Sequence, residues 1–223
     1  MANFRTHLGV AAAGGAVLAH GGWQAGLWDL WQGAAVLGLV AFGGILPDID
    51  ADRSKAIRLI FNLLAVPAVV IGALLLQSRL APGPLLLVCG GLYLTVRYLA
   101  GALFSRFTVH RGIWHSLLAA GLCGLAAAAL SFRLLDQPER LAWLYGLAVT
   151  VGFVIHLLLD ECYSVDLTGA RIKRSFGTAI KPFDWKVPGN TLAMLMAGLA
   201  LAPWLPSWPP LLVLLGQGAA LWR

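Results

Sequence analysis

Long apolar stretches recur along this chain, and they constrain its fold more than any other feature. Charged residues make up only 12% of the sequence, about half the share found in a soluble domain. A membrane-spanning helix needs about 20 apolar residues. The sequence therefore predicts an all-α, polytopic membrane helix bundle with about six to eight transmembrane helices. The apolar segments lie at about 8–23, 30–47, 57–77, 84–104, 115–132, 141–160, 191–204 and 209–222.

The last two apolar segments are shorter than the others and are separated by prolines. Proline ends or bends a helix, because it lacks the backbone N–H and its ring collides with the preceding turn. We expect residues 191–222 to form either two short spans or a re-entrant pair. The whole chain, 1–223, is interpreted as one integral membrane domain. The prolines in question are Pro203, Pro206, Pro209 and Pro210.

Basic residues are distributed unevenly between the two sides of the predicted membrane. The net charge of +6 would by itself suggest nucleic acid as a partner. If the N-terminus is cytoplasmic, however, all of the 16 basic residues except Arg79, Arg133 and Arg140 fall on the cytoplasmic side. This imbalance follows the positive-inside rule. It predicts a multi-pass protein with a cytoplasmic N-terminus and no nucleic-acid partner.

Histidines and aspartates collect at helix ends on that same cytoplasmic side. Imidazole and carboxylate groups are the nitrogen and oxygen ligands of hydrolytic metal sites. Ionisable groups at the end of an apolar span usually face a cavity or a partner. Convergence of such groups from four helices predicts a metal site. The candidate ligands are His7, Asp48, Asp50, His110, His115, His156 and Asp160.

Two of the candidate pairs also have a simple structural interpretation. His156 and Asp160 lie one helical turn apart on the same face, which suits metal ligation but also an ordinary hydrogen-bonded pair. Asp48 and Asp50 follow Pro47 and could reach one cation or bridge two. They could equally be solvated acids where a helix ends. The location of both pairs at the ends of apolar spans favours ligation.

The third pair, His110 and His115, flanks a predicted turn. In a continuous helix, residues five apart would point about 140° away from each other, so Gly112 favours a turn between them. Arg111 in this turn could bind a phosphate, since its planar guanidinium suits oxyanions, or it could be an interfacial arginine. Glu161 could act as a general base or pair with a basic residue of the following loop. Arg111 and Glu161 are the candidate catalytic residues.

The longest polar stretch, 161–189, follows the last candidate ligand. Residues 163–167 and 175–180 contain β-branched and aromatic side chains, and Gly169 lies between them. This pattern predicts a small hairpin within a cytoplasmic loop that lies over the proposed active site. The basic residues of the loop could face phosphates or simply the membrane surface.

The order of the motifs resembles a known family. Leu-Pro-Asp-Ile-Asp at 46–50, His-Arg-Gly-x-x-His-Ser at 110–116 and His-x-x-x-Asp at 156–160, after an early histidine, are similar to the predicted inner-membrane metal-dependent hydrolases. This bacterial family includes a LexA-regulated member. The resemblance covers roughly residues 1–187, and it implies a bacterial inner-membrane protein with a metal site built from the seven ligands above. Trp114 departs from the threonine that members often have.

Together these features predict a membrane-bound metal-dependent hydrolase. Seven candidate ligands exceed the three protein ligands of a mononuclear catalytic zinc site, so we expect two divalent ions, with zinc the first choice and manganese the second. A dinuclear site suits phosphoester cleavage, and the predicted substrate is a lipid or lipid-linked phosphate at the cytoplasmic face. The alternative is a metal-ion or proton-coupled transporter that uses the same cluster. Transporters usually place that site near the bilayer midplane, between repeats.

Overall fold

The computed structural model is almost entirely helical, which confirms the predicted all-α membrane fold. It describes residues 3–50, 55–107, 112–166, 171–172, 177, 180–185 and 187–220. The helices are α1 (Phe4–Gln24), α2 (Leu30–Gly43), α3 (Lys55–Leu76), α4 (Pro82–Leu94), α5 (Gly101–Phe107), α6 (Leu117–Arg133), α7 (Glu139–Cys162), α8 (Pro188–Leu201) and α9 (Pro209–Ala220).

The chain divides into two compact units. The first comprises Met1–Pro47 with Arg111–Arg223, and the second comprises Asp48–His110. The interpretation of residues 1–223 as a single membrane domain stays a prediction.

Several helices are able to span a membrane. Within the described residues, Ile57–Leu76, Pro82–Phe104 and Glu139–Cys162 are long and apolar enough to do so. Helices α2 and α6 are apolar but shorter, with 14 and 17 residues. Pro188–Trp204 and Pro209–Gly218 meet at an angle of 108°, a bend that fits either a broken span or a re-entrant loop. The chain therefore has the helices of a multi-pass membrane protein.

Helix α7 lies at the centre of the first unit, where it packs against α1, α2, α6 and α9. Glycines allow the helix axes to come close together. A Cβ atom on Gly152 would collide with the backbone carbonyl of Val40, and one on Gly43 would collide with that of Val149. Because only glycine fits at such contacts, these two positions allow the C-terminal end of α2 to pack closely against the middle of α7.

Short connections determine which helix ends meet in the first unit. Residues 25–29 join α1 to α2, and residues 134–138 join α6 to α7, so each pair forms an antiparallel hairpin. The start of α1, the end of α2, the start of α6 and the end of α7 consequently lie at one end of the unit. We call this the ligand end.

The segment around Ser207 packs at the opposite end of this unit. The Trp143 indole donates a hydrogen bond to the Ser207 carbonyl at 2.8 Å, and Arg133 donates to the Pro203 carbonyl at 2.8 Å. Ser207 also donates its hydroxyl to the Glu139 carboxylate at 2.5 Å. The turn between α8 and α9 is therefore attached to the end of α6 and the beginning of α7.

A short antiparallel hairpin follows α7. Strand β1 is Val165–Asp166, strand β2 is Arg171–Ile172, and Val165 pairs with Ile172. The first strand falls where the sequence predicted one. The second strand begins at Arg171, earlier than the predicted 175–180. Four residues, 167–170, separate the two strands, and a longer connection would cost more closure entropy.

The second unit is a helical hairpin of α3 against α4 and α5. The rings of Phe61 and Phe104 lie 6.0 Å apart, and the Tyr93 hydroxyl donates to the Asn62 amide oxygen at 3.1 Å. A π-helical segment, Thr95–Ala100, joins α4 to α5. These contacts bring the beginning of α3 next to α5.

Candidate metal centre

Four of the predicted ligands lie together at the ligand end of the first unit. His7, His156 and Asp160 each offer a ligand atom, and these atoms all lie within 4.8 Å of one another. His115 is next to this group, with its ring 5.8 Å from that of His156. All four side chains are at most 1% exposed. The structure thus brings together groups from the start of α1, the end of α7 and the turn before α6.

The protonation of His156 follows from its hydrogen bond. Its Nδ1 lies 2.7 Å from the carbonyl oxygen of Gly44 at the end of α2. Since a carbonyl can only accept, Nδ1 carries the proton and donates it, and this leaves the lone pair on Nε2. Metal-binding histidines commonly donate their other N–H to a carbonyl or carboxylate in this way. His156 is therefore held in the tautomer that a metal ligand needs.

His7 and Asp160 complete the buried group around His156. The His7 ring stacks on the His156 ring, with centroids 3.6 Å apart and planes 10° from parallel. His7 Nε2 lies 3.2 Å from the Asp160 carboxylate. Two imidazoles and one carboxylate are the donor set of several catalytic zinc sites, which keep one position open. The donor chemistry fits a divalent ion.

Local capping places His7 on the first turn of α1. The Asn3 side chain accepts a hydrogen bond from the Thr6 N–H at 2.9 Å, which is the usual role of an N-cap asparagine. The His7 N–H donates to the Asn3 carbonyl at 3.1 Å. Because Asn3 caps the helix and His7 is its fourth residue, the imidazole lies at the ligand end.

A turn and a cap hold His115 in the same region. Its N–H donates to the Gly112 carbonyl at 3.2 Å, as the sequence predicted for a glycine-containing turn. Ser116 then caps α6, because its hydroxyl accepts from the Ala119 N–H at 3.2 Å. The His115 ring points edge-on toward His156, with 71° between their planes.

Trp114 has a role that the sequence did not reveal. Its indole N–H donates to the Leu46 carbonyl at 2.8 Å, so the turn that carries His115 is tied to the residue just before Pro47. A partly buried indole generally needs a hydrogen-bond acceptor. The need of Trp114 for an acceptor was the only indication of this contact in the sequence, and it could not identify the Leu46 carbonyl as that acceptor.

The comparison with known families places this chain among inner-membrane proteins. The family model described as YdjM inner membrane protein matches residues 1–207. The chain belongs to this family. No curated protein matches the chain, and no solved structure does. The family description supports location in a bacterial inner membrane, and it does not extend to an activity or a metal.

The remaining predicted ligands are Asp48, Asp50 and His110, which belong to the second unit. Asp48 and Asp50 lie in the 3₁₀ turn Pro47–Asp50, and both belong to the second unit. The side chain of Asp50 is outside the described part of the chain, as are His110 and Arg111. Their assignment as ligands, and that of Arg111 as a phosphate-binding residue, stays a prediction.

Glu161 contacts the loop that follows α7. Its carboxylate accepts a hydrogen bond from the Gly177 N–H, and Gly177 has a positive φ of 77° that favours glycine. Pairing with a basic residue of this loop was one of the two predicted roles of Glu161, and the hydrogen bond from Gly177 places its carboxylate against the loop. The catalytic role of Glu161 stays a prediction.

Proposed function

We propose that this chain is a membrane-bound metal-dependent hydrolase that cleaves a phosphoester of a lipid or lipid-linked substrate at the cytoplasmic face of the membrane. The observation that carries the proposal is the buried His156, whose Nδ1–H is donated to Gly44 while His7 and Asp160 lie beside it. An enclosed group of two imidazoles and a carboxylate is costly to bury unless it is paired or binds a cation. A divalent ion would satisfy all three groups together.

The proposed metal ligands comprise the buried group and the residues that the sequence adds to it. His7, His156 and Asp160 would hold one ion, with His115 available beside them. Asp48, Asp50 and His110 would supply ligands for a second ion. Zinc is the first choice because the histidine content favours it, and manganese is the second.

The chain's own groups would prepare the site for phosphoester cleavage. A bound divalent ion would activate water and polarise a phosphoryl oxygen. Burial of the ligands lowers the local dielectric and strengthens their interactions with developing charge. Arg111 would bind the phosphate through its planar guanidinium, and Glu161 would orient the loop near the substrate. The acyl chains would remain in the bilayer beside the helices.

Metal content of purified protein tests the site directly. We expect wild-type protein to retain a divalent ion, and His156→Ala and Asp160→Ala to lose it. His20→Ala is the matched control, since His20 lies toward the other end of α1 and its ring packs near Trp23. Full metal occupancy in both site variants would refute the proposed centre.

Activity tests then separate hydrolysis from transport. The wild-type protein, loaded with zinc or manganese in nanodiscs, should release a headgroup or phosphate from at least one bacterial phospholipid or polyprenyl phosphate. The His156→Ala variant should not. Metal uptake into proteoliposomes without hydrolysis of any of these lipids would favour the transporter alternative.

A further inference from the structure

The helical hairpin of the second unit has an unbalanced charge. Residues 55–107 contain five basic residues and no aspartate or glutamate. Other parts of the protein cover little of its two candidate spans. Only 17% of an 18-residue stretch of Ile57–Leu76 and 6% of such a stretch of Pro82–Phe104 are buried. Any anion that neutralises a cation on this hairpin must therefore come from outside it.

Arg97 is the basic residue that lies well inside one of these spans, whereas Arg58 is the second residue of the other. Arg97 occupies the Pro82–Phe104 span and is half-buried. Its guanidinium lies over the Tyr98 ring, 5.0 Å from the centroid. A cation–π contact attracts the charge but does not neutralise it. An arginine within a membrane span is costly unless it reaches the interface or an anion.

The backbone around Arg97 is also unusual. Thr95–Ala100 form a π-helical segment within an otherwise regular helix, and such segments occur frequently at functional sites. One turn earlier, Tyr93 donates to Asn62 of α3 at 3.1 Å. Polar groups are thus gathered at one level of an apolar hairpin.

The position of Arg97 along the span suits contact with a lipid headgroup. Arg97 lies seven residues before Phe104, where the span ends, which corresponds to about 10 Å along a helix. A long arginine side chain can extend much of that way toward the headgroups. Tyr98 is 58% exposed, and tyrosine is enriched where acyl chains meet headgroups.

We propose that Arg97 and Tyr98 form a binding site for the phosphate of a phospholipid from the surrounding bilayer. The guanidinium would contact two phosphate oxygens at once, and the Tyr98 ring would support it from one face. A headgroup with net negative charge is preferred, because the hairpin has no carboxylate of its own. The site lies entirely in the second unit, so it does not depend on the proposed hydrolase activity.

Native mass spectrometry of protein released from nanodiscs tests this site. The nanodiscs contain equal amounts of phosphatidylglycerol and phosphatidylcholine. We expect wild-type protein to retain phosphatidylglycerol preferentially, and Arg97→Gln to retain about tenfold less of it, as for loss of a charge-assisted hydrogen bond. Arg97→Lys should fall between the two, since it keeps the charge and loses the planar fork. This variant also controls for folding.

Arg79→Gln is the matched control for general charge attraction. Arg79 is exposed between α3 and α4 of the same acid-free hairpin, so its replacement should leave lipid retention at the wild-type level. Wild-type retention in Arg97→Gln, or an equal loss in Arg79→Gln, would overturn the proposal. Displacement of the lipid by millimolar inorganic phosphate would also overturn it, since the site would then bind soluble phosphate.

Discussion

At the scale of single residues, hydrogen bonds from aromatic rings to backbone carbonyls define the geometry of the candidate centre. The Gly44 carbonyl selects the His156 tautomer, and the Leu46 carbonyl accepts from Trp114. Both carbonyls belong to the short segment that leads from α2 to Pro47. This segment therefore positions a proposed ligand and the turn that carries His115.

Replacing Trp114 by phenylalanine should weaken metal binding while it keeps most of the packing. Each lost indole hydrogen bond costs about 1 kcal/mol, and we expect metal affinity to fall roughly fivefold as the His115 turn loosens. Affinity would be measured by competition with a zinc chelator. Trp143→Phe removes an equivalent bond of 2.8 Å at the opposite end of the unit. Equal metal affinity in the two variants would show that Trp114 has only a structural role.

At the scale of helices, glycine contacts decide whether the ends of α2 and α7 can meet. A Cβ atom on Gly152 would overlap the Val40 carbonyl and would lie 2.9 Å from the Gly44 nitrogen. Gly44 is also the residue whose carbonyl holds His156. Packing of α2 against α7 and the position of His156 are consequently linked.

Gly152→Ala should therefore lower both stability and metal content. We expect a loss of about 1–3 kcal/mol from overpacking, visible as a lower unfolding temperature in detergent, together with reduced metal retention. Gly38→Ala on α2 is the control, because its Cβ would meet nothing within 4 Å and alanine favours helix formation. Unchanged unfolding temperature and metal content in Gly152→Ala would contradict this link.

At the scale of the whole molecule, the distribution of basic residues predicts the orientation in the membrane. The proposed orientation places the N-terminus and the ligand end in the cytoplasm. Cys162 reports on this arrangement, since it is exposed at the end of α7 and follows Asp160 by two residues. Cys89 and Cys123 are only partly exposed.

A membrane-impermeant maleimide should label Cys162 in inside-out vesicles and not in intact spheroplasts. The physical reason is that the positive-inside bias predicts a cytoplasmic location for the end of α7. Labelling is measured by mass shift, and Cys162→Ser should abolish it. Labelling from the periplasmic side of spheroplasts would reverse the proposed orientation and the side of the site.

The sequence by itself determined the features that depend on local composition. Apolar length predicted the helices, Gly112 predicted the turn before His115, and Ser116 and Asn3 begin α6 and α1 through short-range caps. The placement of histidines and aspartates at helix ends also predicted candidate metal ligands. Four of these candidates, His7, His115, His156 and Asp160, lie close together in the structure. Each of these features depends on residues that are close together in the sequence, so a single segment of the chain is enough to predict it.

Only the tertiary structure decided which groups meet. Gly44 and His156 are 112 positions apart, and Leu46 and Trp114 are 68 apart. No local pattern pairs them, because their contact depends on how closely glycine-lined helices pack. The earlier start of β2 and the contact of Glu161 with Gly177 depend likewise on the path of the folded loop. The helices approach each other most closely where only the smallest residues fit. This packing brings separate candidate ligands together in one buried group.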